Sequence, residues 1–294
     1  MPASSSERSL KWICVSHLSR LWRNVAINDA SLWTNPPSLK NPEWTMTMLE
    51  RSRMVTIPAP SLKVDELDNR VAAALTPHIT RVAVLVIPRM ARETLERVLS
   101  GLPSTAPNLE ALSINSLAKV TFGTGSWYKQ ISYPHVYLDE AMAIPDDVLC
   151  HTPKLQRLEL NDIIIKCDSP LLSNLTTLSM TGIPDKSKPT PQQFKMMLKP
   201  APYLKRLALK GVGPSAGSSQ QAGWATPVLM EHLEYLDIEE TVPRIMCFFR
   251  NLLCDTSSEG TQSWRRRIRL GASLPVSCVR PAIFTLHHWL KHRR

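Results

Sequence analysis

Aliphatic residues recur along the middle of the chain in one short pattern, L-x-x-L-x-L, whose last position is Leu, Ile or Met. Five clean copies begin at Leu109, Leu155, Leu175, Leu204 and Leu233. Three weaker copies begin at Ile79, Tyr133 and Arg265. The fourth and sixth positions lie two residues apart, so both side chains lie on one side of a β-strand. Each copy therefore predicts a strand that buries these two positions and leaves positions three, five and seven on its other side.

The segments between the copies predict helices or irregular turns. Apolar residues follow helical spacing at 91–102 and 242–254, and Thr190 with Gln193 forms a capping box that has Pro191 at the first helical position. The eight copies start 20 to 32 residues apart, which resembles the spacing of leucine-rich repeats. We therefore expect an α/β leucine-rich-repeat solenoid of about eight units over residues 61–272, with a curved parallel sheet and helices and turns outside.

The outer positions of the copies would form one ordered surface. Eight strands spaced at about 4.8 Å make a face about 34 Å long, which suits a protein better than a small metabolite that needs a closed pocket. The alternative is that this concave face is only the solvated side of the sheet. The candidate partner-binding residues are His135, Tyr137, Asp139, Arg157, Glu159, Thr177, Arg206, Tyr235 and Asp237.

Residues 1–60 predict a small helical segment before the repeats. Apolar residues follow helical spacing over 8–28, and Asn41 followed by Pro42 predicts the start of a second helix that runs to about Arg53. Physical reasoning alone favours a helical cap that shields the open edge of the first repeat, because a solenoid needs such a cap.

This segment also carries a family resemblance. The string VSHLSRLWRNVA at 15–26, followed by SLWT at 31–34 and by Trp44, resembles fungal F-box-like leucine-rich-repeat proteins, and the match continues through 106–110 into the later copies. The sequence departs from a complete F-box, which has a Leu-Pro-rich first helix upstream of this stretch. The residues of this F-box-like remnant are Leu18, Trp22, Arg23, Val25, Leu32 and Trp33.

The resemblance implies a function in ubiquitin transfer. Members of the family are substrate-binding subunits of SCF-type cullin–RING ubiquitin ligases, so it implies a non-catalytic chain whose F-box helices bind a Skp-type adaptor. It further implies that the repeats hold the protein substrate, whose identity the sequence does not specify. With no long apolar run and no secretory signal in the sequence, we expect no membrane association and a cytoplasmic or nuclear location.

The net charge of +10 is concentrated at the C-terminus. Residues 264–294 hold eight basic and no acidic side chains, while residues 59–263 hold 20 basic and 21 acidic ones. We expect a basic cap or tail at 273–294. The alternative to the ligase function is a repeat scaffold that associates with nucleic acid or another partner through this tail, although its charge alone is weak evidence.

Signals for catalysis or cofactor binding are weak. The GVGPSA stretch at 211–216 fits a dinucleotide-binding pattern, yet no helical periodicity follows it to receive a pyrophosphate. The six cysteines are never closer than seven positions, and His288 with His292 would supply only half of a zinc site. We predict no enzyme activity, no cofactor and no bound metal.

Overall fold

Parallel strand pairing organises the structure. The computed structural model describes residues 13–34, 42–57, 76–116, 141–213, 228–240, 244, 252–254 and 269–270. Its strands are β1 Val84–Met90, β2 Ala111–Ser116, β3 Met142–Ala143, β4 Arg157–Asn161, β5 Ile163–Ile164, β6 Thr177–Thr181, β7 Arg206–Lys210, β8 Val228–Met230, β9 Tyr235–Glu239, β10 Leu252–Cys254 and β11 Arg269–Leu270. The described α-helices are α1 Ile13–Ser16, α2 Arg20–Asn28, α3 Pro42–Arg51, α4 Arg92–Ser100 and α5 Pro191–Leu198.

Seven of these strands form one parallel sheet in the order β1-β2-β4-β6-β7-β9-β11. Helix α4 lies in the connection from β1 to β2, and α5 lies in the connection from β6 to β7. Two small two-stranded parallel sheets, β3 with β5 and β8 with β10, lie in the connecting segments. The α/β class and the parallel sheet predicted from the repeated pattern are confirmed.

The register of the sheet stacks equivalent residues of successive copies. The fourth positions pair across neighbouring strands, as do the sixth positions, and all of them are buried. These two rows are Leu112, Leu158, Leu178, Leu207, Leu236 and Ile114, Leu160, Met180, Leu209, Ile238. A parallel sheet covered by helices needs a continuous apolar layer beneath it, and the rows supply that layer.

The first copy is displaced by three residues from its predicted start. Val84 pairs with Ala111, so the copy begins at Val82 rather than at Ile79. The residues Thr76–Arg81 form a 3₁₀ helix that buries Ile79 in the core. Helical i, i+3 spacing imitates the first and fourth positions of the pattern, which explains the error. Arg81, predicted on the exposed side, is buried instead.

The weak copy at Tyr133 does not supply a strand between β2 and β4. These two strands pair directly, with Ala111 opposite Arg157 and Asn115 opposite Asn161. The backbone groups along their facing edges are thereby used, and no strand fits between them. The prediction of eight strands in this order was wrong at that point. A second error lies at 242–254, where the last three residues form β10 instead of a helix.

The predicted capping box on α5 is confirmed. The Gln193 amide donates to the Thr190 hydroxyl at 3.3 Å, and the Thr190 amide donates to the Gln193 side-chain oxygen at 2.9 Å. Pro191 occupies the first helical position, where a missing N–H costs nothing. Phe194 and Met197 then lie on the buried face of the helix and join the core beneath the sheet.

Arg81 joins α3 to the first repeat. Its guanidinium donates to the Leu49 carbonyl at 2.5 Å, to the Ser52 hydroxyl at 2.8 Å and to the Val55 carbonyl at 3.2 Å. These acceptors lie at the end of α3, where carbonyls lack helical partners and a cation is favourable. The core also runs through this junction, because Leu49 is packed in the same cluster as Ile79. Helix α3 therefore serves as the predicted cap of the first repeat.

The Arg81 guanidinium also lies 3.0 Å from Nδ1 of His78. Burial lowers the pKa of His78, the positive charge of Arg81 lowers it further, and Glu50 opposes the shift. Because guanidinium nitrogens only donate hydrogen bonds, this contact requires the neutral imidazole as the acceptor.

A buried ion pair links the loops that follow three strands of the sheet. The Glu240 carboxylate, after β9, accepts hydrogen bonds of 2.8 Å from the Lys188 ammonium and from the Gly213 amide. The Lys188 and Glu240 side chains are only 5% and 4% exposed. Arg244 donates to Asp185 at 3.0 Å and to Glu240 at 3.4 Å, and Lys188 lies 2.9 Å from Asp185. We call these five residues the loop clamp.

We expect the His78 contact to make stability depend on pH. As the pH falls below about 6.5, the unfolded chain takes up a proton at His78 before the folded chain does. The free energy of unfolding should therefore fall between pH 6.5 and the lowered pKa of the folded state. Urea unfolding of the parent and of His78→Asn, from pH 7.5 to 5, measures this, since Asn keeps an acceptor but does not titrate. If the free energy of unfolding changed with pH in the same way in the two proteins, the pH dependence could not be assigned to His78.

We expect Glu240→Ala to lower the free energy of unfolding by about 3 kcal/mol, because it leaves the buried Lys188 ammonium with Asp185 alone. The neighbouring Glu239→Ala is the matched control. Its carboxylate is 46% exposed and lies 3.9 Å from Lys210, so we expect a loss of less than about 1 kcal/mol. Urea titrations followed by far-UV circular dichroism compare the two variants, and equal losses would show that the clamp is not a stabilising element.

Candidate protein-binding surfaces

The exposed side of the sheet brings most of the predicted binding residues together. We call this side, formed by positions three, five and seven of the copies, the sheet face. Register pairing aligns Arg157, Thr177, Arg206 and Tyr235 in its first row. The second row contains Ser113, Glu159, Ser179, Ala208, Asp237 and Arg269. His135, Tyr137 and Asp139 lie outside the described residues, and the direct pairing of β2 with β4 removes the strand that would have placed them in these rows.

The charged residues of the first two rows are not paired with one another. Arg157 and Arg206 are exposed, Glu159 is half-buried and Asp237 is only 8% exposed. None of these four side chains has an ion pair or a hydrogen bond with the described residues. By contrast, Lys210 and Glu239 in the third row lie 3.9 Å apart. Arg157, Arg206 and the half-buried Glu159 therefore leave charges on the sheet face that an oppositely charged partner could pair.

A short asparagine ladder holds the third row at the start of the sheet. Asn161 donates its side-chain amide to Asn115, and Asn115 donates to the Ile87 carbonyl of β1 at 3.0 Å. The ladder joins three neighbouring strands through side chains in addition to their backbone pairing. Sequence reasoning missed it, although the occurrence of Asn at position seven of successive copies was the available signal.

A second missed feature is an aromatic pair at the amino ends of β7 and β9. The rings of Tyr203 and His232 stack with centroids 5.6 Å apart and planes inclined by 22°. Both residues are exposed, and each directly precedes the first leucine of a copy. Equal positions in successive copies become neighbours in space, so this pairing could have been read from the sequence. Along the chain the two rings lie three residues before Arg206 and Tyr235.

Helix α2 and the turn before it expose Leu18, Trp22 and Val25, three of the predicted remnant residues, together with Leu21. The helix begins after Ser19, whose hydroxyl accepts from the Trp22 amide at 3.2 Å. Leu18, Leu21, Trp22 and Val25 are between 49% and 74% exposed, and the only buried residue of the helix is Ala26. We call these four exposed side chains the α2 patch. They do not shield the first repeat, so the capping role belongs to α3.

Trp33 has the opposite environment to Trp22. It is 3% exposed, its indole N–H donates to the Ala26 carbonyl at 2.8 Å, and its ring centroid lies 6.0 Å from that of Trp44. The Arg51 guanidinium lies 4.4 Å from the same ring, at cation–π distance. Trp33 therefore joins α2 to α3 from the inside. Of the other predicted remnant residues, Leu32 is half-buried and Arg23 is exposed.

The described residues offer no arrangement for metal or nucleotide chemistry. They contain no group of three His, Cys, Asp or Glu side chains able to hold a metal ion. The Gly213 amide, which a dinucleotide loop would direct at a phosphate, donates to the Glu240 carboxylate at 2.8 Å, so that carboxylate would repel the phosphate. Burial, followed by the charge of Asp168, raises the pKa of the Cys167 thiol, which disfavours the reactive thiolate.

The sequence matches no model of a known protein family and no curated protein. Within the described ranges, none of the helices has the length and apolar character that crossing a membrane requires. The α2 patch and the sheet face are thus identified from their geometry and side-chain chemistry. The α2 patch is exposed, the sheet face combines exposed and half-buried residues, and the two lie on different elements of the chain.

We expect the two tryptophans to differ sharply in their contribution to stability. Trp33→Ala removes a buried ring and should lower the free energy of unfolding by about 3–5 kcal/mol. Trp22→Ala removes a half-exposed ring and should change it by less than about 0.5 kcal/mol. Urea unfolding of both variants, followed by far-UV circular dichroism, makes the comparison. Similar losses in the two variants would mean that Trp22 belongs to the core and not to a surface patch.

Proposed function

We propose that this chain is a non-catalytic protein-recognition module, the substrate-binding subunit of an SCF-type cullin–RING ubiquitin ligase. In this proposal the α2 patch binds a Skp-type adaptor and the sheet face binds the protein to be ubiquitinated. The observation that supports it most is the exposure of Leu18, Leu21, Trp22 and Val25, because these apolar residues lie within the stretch that resembles an F-box.

The α2 patch has the geometry of a helix that binds in a groove. Leu21, Trp22 and Val25 lie on one face of α2, because Val25 is four residues from Leu21 and three from Trp22. Leu18 lies in the turn before the helix. Trp22 is of the residue type that most often dominates the affinity of protein interfaces. Burial of apolar surface contributes about 25 cal/mol for each Å² removed from water. A partner that covers the patch would therefore gain free energy without rearranging the core.

The sheet face supports the second half of the proposal. Its strands are held by backbone pairing and by the asparagine ladder, so its side chains project from a rigid base. A preorganised surface loses little conformational entropy on binding. Its unpaired arginines and its aromatic residue Tyr235 are types that recognise another protein. The proposal assigns no catalytic step to this chain.

The alternative function is association with nucleic acid or another partner through the basic C-terminal residues. Apart from Arg269 and Leu270, residues 264–294 lie outside the described ranges. Nothing in the described geometry favours this alternative, and it stays a prediction from charge alone.

We expect calorimetric titration of the full chain into a purified Skp-type adaptor to give a Kd in the micromolar range or tighter. Trp22→Asp and Leu21→Asp should each weaken binding at least about 30-fold, the effect of losing a hot-spot side chain. Met196→Asp is the matched control, because Met196 is also an exposed apolar residue of a helix, but on α5. It should bind like the parent.

Two results would overturn the proposal. One is that a parent chain that unfolds cooperatively in urea shows no adaptor binding at about 100 μM, which is roughly the range of weak interface affinities. The other is an equal loss of binding in Met196→Asp and in the α2 variants, which would show that the measured association is not made through the patch.

A further inference from the structure

Two arginines flank a hydroxyl in the first row of the sheet face. Thr177 lies opposite Arg157 on one side and opposite Arg206 on the other. With strands about 4.8 Å apart, the two arginine backbones are about 10 Å apart, and both long side chains can reach a group placed above Thr177. Both are exposed and neither forms an ion pair with the described residues. The position is thus suited to an anionic group that accepts from both guanidiniums.

A carboxylate lies next to this position in the second row. Glu159 is two residues along β4 from Arg157, on the same face, and its register neighbours are Ser113 and Ser179. No described cation pairs with it. Asp237 in the same row has Arg269 as a register neighbour, so Glu159 is the carboxylate of this row without a cationic neighbour across the strands. It is suited to a positively charged group of a partner.

The combination of charges separates two classes of partner. A nucleic acid presents phosphates along its whole length, so the phosphates that contact Arg157 and Arg206 would bring others towards Glu159 and Asp237. Like charges brought together in this way oppose binding. A polypeptide can present an acidic and a basic side chain side by side and satisfy both rows.

The spacing indicates which arrangement of side chains fits. The point above Thr177 and the point above Glu159 are one strand and two residues apart, roughly 8 Å along the diagonal. In an extended chain, side chains two residues apart lie on the same side, about 6.6–6.8 Å from each other. The length of a Lys or Arg side chain covers the remaining difference.

We propose that the sheet face binds an extended polypeptide segment in which an acidic and a basic residue stand two positions apart. The acidic side chain lies above Thr177 between Arg157 and Arg206, and the basic side chain lies against Glu159. This inference rests on the proposed function in so far as that function assigns the substrate to the sheet face, and it specifies the chemistry by which the substrate is recognised.

The test uses fluorescein-labelled peptides of equal length in a Gly/Ser background, carrying Glu-x-Lys, Glu-x-Glu or Lys-x-Lys, and a labelled dT20 oligonucleotide. Fluorescence anisotropy at low salt measures their binding to the full chain. We expect the Glu-x-Lys peptide to bind at least about fivefold more tightly than the other three probes, since each exposed charge pair contributes a factor of a few.

Charge-reversed variants locate the binding. Arg157→Glu/Arg206→Glu should reduce Glu-x-Lys binding about tenfold, and Glu159→Lys should shift the preference to the Glu-x-Glu peptide. Arg97→Glu/Lys199→Glu is the matched control. It makes the same change in net charge at exposed residues of α4 and at the end of α5, and it should leave the preference unchanged.

The inference is wrong if Glu-x-Glu, Lys-x-Lys or dT20 binds the parent as tightly as Glu-x-Lys. It is also wrong if a cooperatively folded parent binds no peptide, or if the control variant changes the preference as much as the sheet-face variants do. Adaptor binding through the α2 patch is measured separately. A chain that binds the adaptor but shows no peptide preference refutes this inference alone. A chain that prefers the Glu-x-Lys peptide but does not bind the adaptor refutes only the ligase assignment.

Discussion

Backbone pairing between parallel strands is the constraint on which the rest of this structure depends. Each strand must match its neighbour residue by residue, because the pairing satisfies N–H and C=O groups that are buried between the layers. One register therefore runs from Ala111 through Arg157, Thr177, Arg206 and Tyr235. It stacks the aliphatic residues beneath the sheet, and it equally decides which polar side chains become neighbours above it.

The parts of the fold that repeat could be predicted from the sequence, and the parts that occur once could not. Leu112 and its equivalents can be predicted as buried strand residues because the same spacing occurs five times in the sequence. The junction at Ile79 occurs once, and there a 3₁₀ turn produces the same apolar spacing as a strand. Only the distant contacts of Arg81 with Leu49 and Ser52 distinguish the two possibilities. The prediction of a strand at the Tyr133 copy between β2 and β4 was wrong for a similar reason. A single weak copy in the sequence cannot show whether the strands on either side of it pair with each other.

The candidate surfaces also have features that the sequence predicts and features that it does not. The rows of the sheet face followed from the predicted register, whereas the absence of ion pairs around Arg157 and Glu159 depends on side-chain conformation. Near the N-terminus, Trp22 and Trp33 both belong to apolar stretches of the sequence. Their environments differ because Trp44 and Arg51, from another helix, enclose Trp33. Local spacing contains no information about that enclosure.

The loop clamp changes how the C-terminal part of the sheet responds to mechanical force. Stacked repeats that touch only their nearest neighbours can be peeled from one end, one unit at a time. Asp185 and Arg244, however, are 59 residues apart in sequence and are tied to one another and to Glu240. A force that pulls on the chain beyond Arg244 therefore loads three loops at once. The contact between Asp185 and Arg244 closes a loop whose fully extended length is about 200 Å, and this length of chain cannot extend until these side-chain contacts break.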